Sequence, residues 1–239
     1  MAIGVDWLAP WFAPWRDVGE GVLQAWRTRP LSTALGSAGA FRFVAQSDMP
    51  EGEPYEAFVF RTRSIPTRDN AHDFFNGLAW LRFPQLKQRL NEVQAGEIAR
   101  DGVGGRRGPV RDAVTLLDEN GAFLEAPDAL RDALVARDWR RLFVDLRPLW
   151  AQAQVTVFGH ALLEKLLAPR KDLTAHVWLG PADVTREALA TKPFAPLPLM
   201  GIPGWSPENQ NFSFYDDSLV FRAAGRRTNL QQPVRRPEP

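Results

Sequence analysis

Residues 66–84, PTRDNAHDFFNGLAWLRFP, constrain the fold more than any other stretch, because a single amphipathic helix accounts for most of them. From Asp69 to Phe83 the apolar residues recur near the helical period, with Thr67 or Asp69 placed to cap the start and Pro84 to end or kink the helix. On that period Asp69, His72, Asp73 and Asn76 stand at i, i+3, i+4 and i+7 and share one face, with Trp80 beyond them. Ala71, Phe74, Phe75, Leu78 and Leu81 cover the other face and are expected in the core. Asn70 falls off the stripe and reads as a capping residue.

The makeup of the polar face sets it apart from an ordinary solvated surface. Asp and Asn are poor helix formers, because their short side chains compete for backbone hydrogen bonds. A face chosen for solubility alone would use Glu, Lys and Gln. Gly77 removes bulk nearby and lets another segment or a ligand approach. Several readings of this face stay open. His72 with Asp69, Asp73 or Asn76 can coordinate a divalent metal. His72 can instead be a general base oriented by a carboxylate. The face can bind a ligand without catalysis. Finally, Asp69 and Asn70 can cap the helix while His72 and Asn76 only tie neighbouring loops.

Around this helix the chain mixes strand and helix signals. FRFVAQ (41–46) and YEAFVFRT (55–62) are aromatic and β-branched and read as two strands, the second stopped by Ser64-Ile65-Pro66-Thr67. Pro84 also suits the first turn of a second helix over 85–100. GVGGRRGP (102–109) is a loop, and Asn120-Gly121 between apolar runs predicts a β-hairpin over 113–127. Helices are expected over 128–137 and 138–152. A strand over 155–159 then runs into a helix over 160–169, and another strand covers 173–180. From Pro193 the prolines suggest an irregular wrap, with a last short hairpin in NFSFYDDSLVFR. Without a clean βαβ alternation, the expectation is α+β: a single mixed domain with short strands and hairpins packed against about five to six helices.

The domain reading is an aromatic, Pro-rich N-terminal arm and short helix over 1–29, one globular domain over 30–222, and a basic, disordered tail over 223–239. Trp7, Trp11, Phe12 and Trp15 in the arm are expected to pack on the body. Nine Trp and fifteen Phe against two Tyr point to an aromatic-rich core with room for an apolar cleft.

A net charge of +1 gives no global field toward nucleic acid or anionic lipid, and the basic stretches at 100–111 and 222–239 carry no reader motif. With no cysteine, thiolate metal sites, disulfides and a Cys nucleophile are excluded. The N-terminus does not read as a signal peptide, and no apolar run reaches the ~18 residues a spanning helix needs. The reading is a soluble, cytoplasmic protein.

A second candidate lies in GHALLE (159–164). A helix starting at His160 places an imidazole at a helix N-terminus, which favours its neutral form, with Glu164 one turn on along the same face. His176, mid-strand, reads as a half-buried structural histidine. Asp118 and Glu119 can offer carboxylates to a metal, but the expected turn accounts for Asn120-Gly121. Arg111-Asp112 reads as an ion pair or an anion clamp. There is no H-E-x-x-H, no phosphate loop, no nucleotide or flavin fingerprint and no G-x-S-x-G elbow.

The blocks PTRDNAHDFFNGLAWLRFPQLKQRLNEVQA, RGPVRDAVTLLDENG, VFGHALLEKLLAP and LTAHVW resemble, in order and spacing, the bacterial family known as domain of unknown function 3025, over roughly residues 30 to 225. The resemblance implies a proteobacterial context and nothing about fold, activity, cofactor or partner. Leu117 departs from it, standing where the pattern TLFDENG has an aromatic, which bears on packing only.

Two functional readings follow. In the first, the protein is a hydrolase-like enzyme, with a divalent metal as an open option. His72 and His160 converge on one cleft, Asp69, Asp73 and Glu164 act as carboxylate partners, and Arg68 or Arg111 contacts an anion, with Asn76 beside them. In the second, it is a non-enzymatic module that binds a ligand or protein in an aromatic-rich cleft. Convergence separates them: imidazoles more than about 10 Å apart cannot meet around one reacting atom.

Overall fold

The computed structural model of the chain describes residues 3–102 and 108–223. Most of the loop expected at 102–109 (residues 103–107) and the tail from residue 224 onward lie outside the described residues. The fold is an α+β mix, as expected. Among the described residues, six α-helices run eight residues or more: α1 (Arg16–Trp26), α3 (Tyr55–Thr62), α4 (Ala71–Arg82), α5 (Pro84–Asp101), α6 (Pro109–Asn120) and α7 (Asp128–Ala136). Three are shorter: α2 (Leu31–Gly36), α8 (His160–Lys165) and α9 (Arg186–Ala190).

Strands β1 (Arg42–Ala45) and β2 (Ser64–Thr67) form a small parallel pair, with Phe43 opposite Ile65. Strands β3 (Gly121–Glu125), β4 (Gln154–Val157), β5 (Thr174–Trp178) and β6 (Phe194–Pro198) form a sheet in the order β4-β3-β5-β6. In it β3 is antiparallel to β4 and parallel to β5, and β5 is antiparallel to β6.

Several expected elements change. Residues 55–62 are helix α3, not a strand, and the strand is the segment expected to stop it, Ser64–Thr67. Tyr55, Phe58, Val59 and Thr62 stand at helical spacing, with Phe58 and Val59 buried. A parallel β1–β2 pair also needs a crossover between its strands, which α3 supplies.

The hairpin at Asn120-Gly121 is absent: α6 runs to Asn120 and β3 starts at the next residue. Gly121 has φ −74°, so no left-handed turn is made. Its glycine answers another need, because a Cβ there would lie 2.3 Å from the Leu117 carbonyl oxygen.

The helix expected over 138–152 breaks into a π turn (Arg141–Asp145) and a 3-10 segment (Arg147–Gln152), since Pro148 has no N–H to continue an α-helix. The closing hairpin is replaced by 3-10 turns over Pro207–Gln210 and Phe212–Asp216, pinned by fully buried Asn209, whose amide donates to the Met200 and Ile202 carbonyls. Pro196 and Pro198 lie in β6, at the edge of the sheet, where a missing N–H costs no interior ladder bond.

The rings of Trp11, Phe12 and Trp15 are buried in the same apolar core as Phe74, Phe75 and Leu78 of α4, and Phe12 stacks on Phe75 at 5.6 Å. Leu117 is fully buried. Among the described residues, no helix is long and apolar enough to cross a membrane.

Candidate functional site

The cleft forms where α3, α4, α5 and α6 meet the start of α8, and its volume is about 310 Å³. Each wall has a local cause. Asn70 caps α4 by accepting from the Asp73 N–H at 2.8 Å, which sets His72 in the first turn, facing α8. Phe83 leaves the helical region before Pro84, so α5 turns back beside α4 and carries Lys87 inward. The β4–α8 corner crosses the end of α6 so tightly that a Cβ on Gly159 would lie 2.5 Å from the Glu119 carbonyl and the Asn120 nitrogen. The Phe158 and Gly159 N–H groups both donate to the Gly121 carbonyl at 2.9 Å. That close crossing delivers His160 to Asp118 and Glu119.

The two imidazoles meet. Their Nε2 atoms are 3.0 Å apart and their ring centroids 4.5 Å apart, well inside the limit that separates the two functional readings. His72 Nδ1 faces Glu164 Oε2 at 3.1 Å, so Glu164 partners His72 rather than His160 on its own helix. His160 Nε2 is 3.6 Å from Glu119 Oε2, and its Nδ1 is 3.8 Å from Asp118 Oδ2 with no hydrogen-bond partner. One ligand atom from each of His72, Glu119 and His160 forms a group within 4.8 Å.

A buried polar chain supports this centre. Lys87 Nζ donates to Asp118 Oδ1 at 2.6 Å and to Asn76 Oδ1 at 2.8 Å, and lies 5.5 Å from the Trp80 ring centroid. Asn76 in turn donates to the Tyr55 hydroxyl at 3.1 Å.

The surroundings separate the titrating groups. Burial, only partly opposed by the Asp118 charge, pushes His160 down to about 4, so its ring is neutral near pH 7. Burial rather than a helix dipole is the leading cause. Burial works against the charged form of Asp118 too, but Lys87 and His160 outweigh it and hold the carboxyl below its usual range. Glu119 is raised by burial and by its neighbour Asp118. Burial likewise raises Tyr55, which stays a neutral phenol.

The other expected residues divide. Arg68 and Asp73 line the cleft as a pair: Asp73 accepts from the Arg68 backbone N–H at 2.6 Å and from its guanidinium at 2.9 and 3.1 Å. Asp69 leaves the stripe, because it precedes the helix and accepts instead from Trp26 Nε1 and the Leu31 N–H. Arg111 lies two turns before Asp118 on α6 and does not line the cleft, while the Asp112 carboxylate meets Lys192 at 3.1 Å. Gly77 makes room for Leu35 of α2, not for a ligand. His176 is half-buried against Phe194, and burial lowers its pKa.

Glu119, Asp118 and Lys87 complete the centre; the sequence offers Asp118 and Glu119 as metal carboxylates but assigns them to a turn, and it gives no role to Lys87. Their signal was present, since Thr115, Asp118 and Glu119 share one face once 109–120 is read as a helix. Tyr55 and Trp80 are the aromatic rings of the cleft besides imidazole; most of the chain's rings are spent on the core.

A family model described as "Protein of unknown function (DUF3025)" matches residues 41–188 and 181–226, and the chain belongs to that family. No curated protein and no solved structure matches.

Proposed function

We propose that this DUF3025 protein is a hydrolase whose reaction takes place where His72, His160 and Glu119 meet. One observation carries the reading: two imidazole nitrogens 3.0 Å apart, with a carboxylate oxygen 3.6 Å from one of them, converge at the wall of a cleft. Groups that serve only to tie loops have no reason to meet around one point.

The electrostatics support it. The neutral His160 imidazole has a lone pair that can take a proton, and the adjacent Asp118 and Glu119 carboxyls are pushed in opposite directions, the one favouring its charged form and the other its neutral form. In hydrolysis the oxygen of a bound water attacks an electrophilic carbon or phosphorus. The proton it loses passes to the imidazole–carboxylate cluster and is returned to the leaving group, so the protein ends unchanged. Glu164 holds the ring orientation of His72. Asp73 is fully engaged with Arg68, so its role is to present the remaining guanidinium N–H groups to an anionic substrate group. A cleft of about 310 Å³ fits a small molecule or the end of a chain.

The test is turnover of p-nitrophenyl acetate, p-nitrophenyl phosphate, bis-p-nitrophenyl phosphate and an aminoacyl p-nitroanilide. The wild type should hydrolyse at least one, and His160→Ala should reduce that rate by about 10²-fold or more. Absence of turnover on all four, or a rate that His160→Ala leaves unchanged, would overturn the proposal.

A further inference from the structure

We propose that Nε2 of His72, Nε2 of His160 and the Glu119 carboxylate together hold one divalent transition-metal ion of the zinc class, with its open positions facing the cleft. The inference concerns the same cleft as the hydrolytic reading, and the metal can be tested without any turnover.

The first argument is distance. Zinc binds His nitrogen and carboxylate oxygen at about 2.0–2.2 Å, so two ligands of a tetrahedral ion stand roughly 3.3 Å apart. Two of the three separations bracket that value, at 3.0 Å from His72 to His160 and 3.6 Å from His160 to Glu119, and the third, His72 to Glu119, lies within 4.8 Å, a gap that rotation of the Glu119 side chain closes. The ligands come from α4, α6 and α8, three elements that the packing forces together, rather than from one flexible loop.

The second argument is proton accounting. The Glu164 carboxylate can only accept, so it selects the tautomer of His72 with the proton on Nδ1 and a lone pair on Nε2. For His160 two tautomers remain. With its proton on Nε2 it donates to His72, but then the Nδ1 lone pair is sealed in the interior facing the Asp118 carboxylate, acceptor against acceptor. With its proton on Nδ1 that conflict disappears. The two Nε2 lone pairs then point at each other beside Glu119. A metal cation held between these three Lewis bases satisfies all of them at once.

The third argument is the outer shell. Ligating histidines keep their other nitrogen on a carboxylate or carbonyl, which fixes the ring and raises its basicity. Glu164 does this for His72, and Asp118, itself anchored by Lys87, stands on the Nδ1 side of His160. Two nitrogens and one carboxylate favour zinc, manganese, iron, cobalt or nickel over magnesium or calcium. Three protein ligands leave at least one position for water, the arrangement of a catalytic rather than a structural ion.

The experiment uses the full chain stripped with EDTA and titrated calorimetrically with Zn²⁺, with Mg²⁺ as the hard-cation comparison, and the d–d spectrum of the Co²⁺ form as a second readout. One equivalent of zinc should bind, magnesium should bind far more weakly, and cobalt should give the intense visible bands of a four- or five-coordinate ion. Glu119→Gln, nearly isosteric, and His72→Ala should each weaken zinc binding by about 100-fold or more, and Glu164→Gln by about 10-fold or more. Circular dichroism confirms that each variant is folded; if one is not, the others decide.

No stoichiometric zinc binding, or Glu119→Gln and His72→Ala proteins that bind as tightly as the wild type, would overturn the metal site. Turnover that survives EDTA, in a chain that then fails to take up zinc, would sink the metal and spare the hydrolase. Tight zinc binding with no turnover on any of the four substrates would do the reverse.

Discussion

Lys87 is the residue on which the centre's charge balance rests. Its ammonium is buried between Asp118, Asn76 and the Trp80 ring, and Asp118 stands next to Glu119 and His160. Removing one partner of a mostly buried pair leaves the other charge without compensation, which costs far more than the pair itself contributes. Lys87→Met should therefore destabilise the protein by about 2–4 kcal/mol in urea titration. Adding Asp118→Asn should recover at least a third of that loss, because the uncompensated charge goes with it. If the double variant is as unstable as the sum of the two single ones, the two side chains are not coupled. Most of the stripe was legible at this scale: His72, Asp73 and Asn76 line the cleft as the helical period required. Asp69 did not follow it, because the helix begins after Asn70 and the carboxylate was free to bond Trp26 and Leu31.

Elements bring the site together through one close crossing. At Gly159 the β4–α8 corner touches the last turn of α6 backbone to backbone, and neither side has a flexible atom that can yield. Gly159→Ala should cost about 2–3 kcal/mol or more, by forcing the two backbones apart, and should displace His160 from Glu119. Gly21→Ala in α1, where a Cβ meets nothing within 4 Å, is the control and should be neutral or stabilising. Equal urea midpoints for the two variants would mean that the crossing is looser than described. The same junction explains the misread hairpin. Asn-Gly is the signature of a tight turn, but here the asparagine ends a helix and the glycine starts a strand. Local sequence cannot separate these, since both need a glycine, one for positive φ and the other for room.

At the scale of the whole molecule, the N-terminal rings are part of the core. Phe12 stacks on Phe75, Trp26 on Phe74, and Trp15 meets Phe83 edge-on, all along the buried side of the helix that carries His72. A chain lacking residues 1–28 should lose its cooperative thermal transition, because removing those rings exposes fully buried Phe74 and Phe75. A transition within about 5 °C of the full chain would show that the segment is dispensable; a shift of that size corresponds to only about 2 kcal/mol in a chain of this length.

The amphipathic helix with its polar stripe, the Pro84 break, the helix beginning at His160 and the α+β class all follow from local pattern, since each rests on periodicity or backbone chemistry within a few residues. The identity of the third acidic partner, the exchange of Glu164 from its own helix to His72, and the meeting of the two imidazoles at 3.0 Å follow only from packing. Those contacts join residues far apart in the chain, and what sets them is the absence of a Cβ at Gly159 and the burial of one face of α4, neither of which acts until the core has formed.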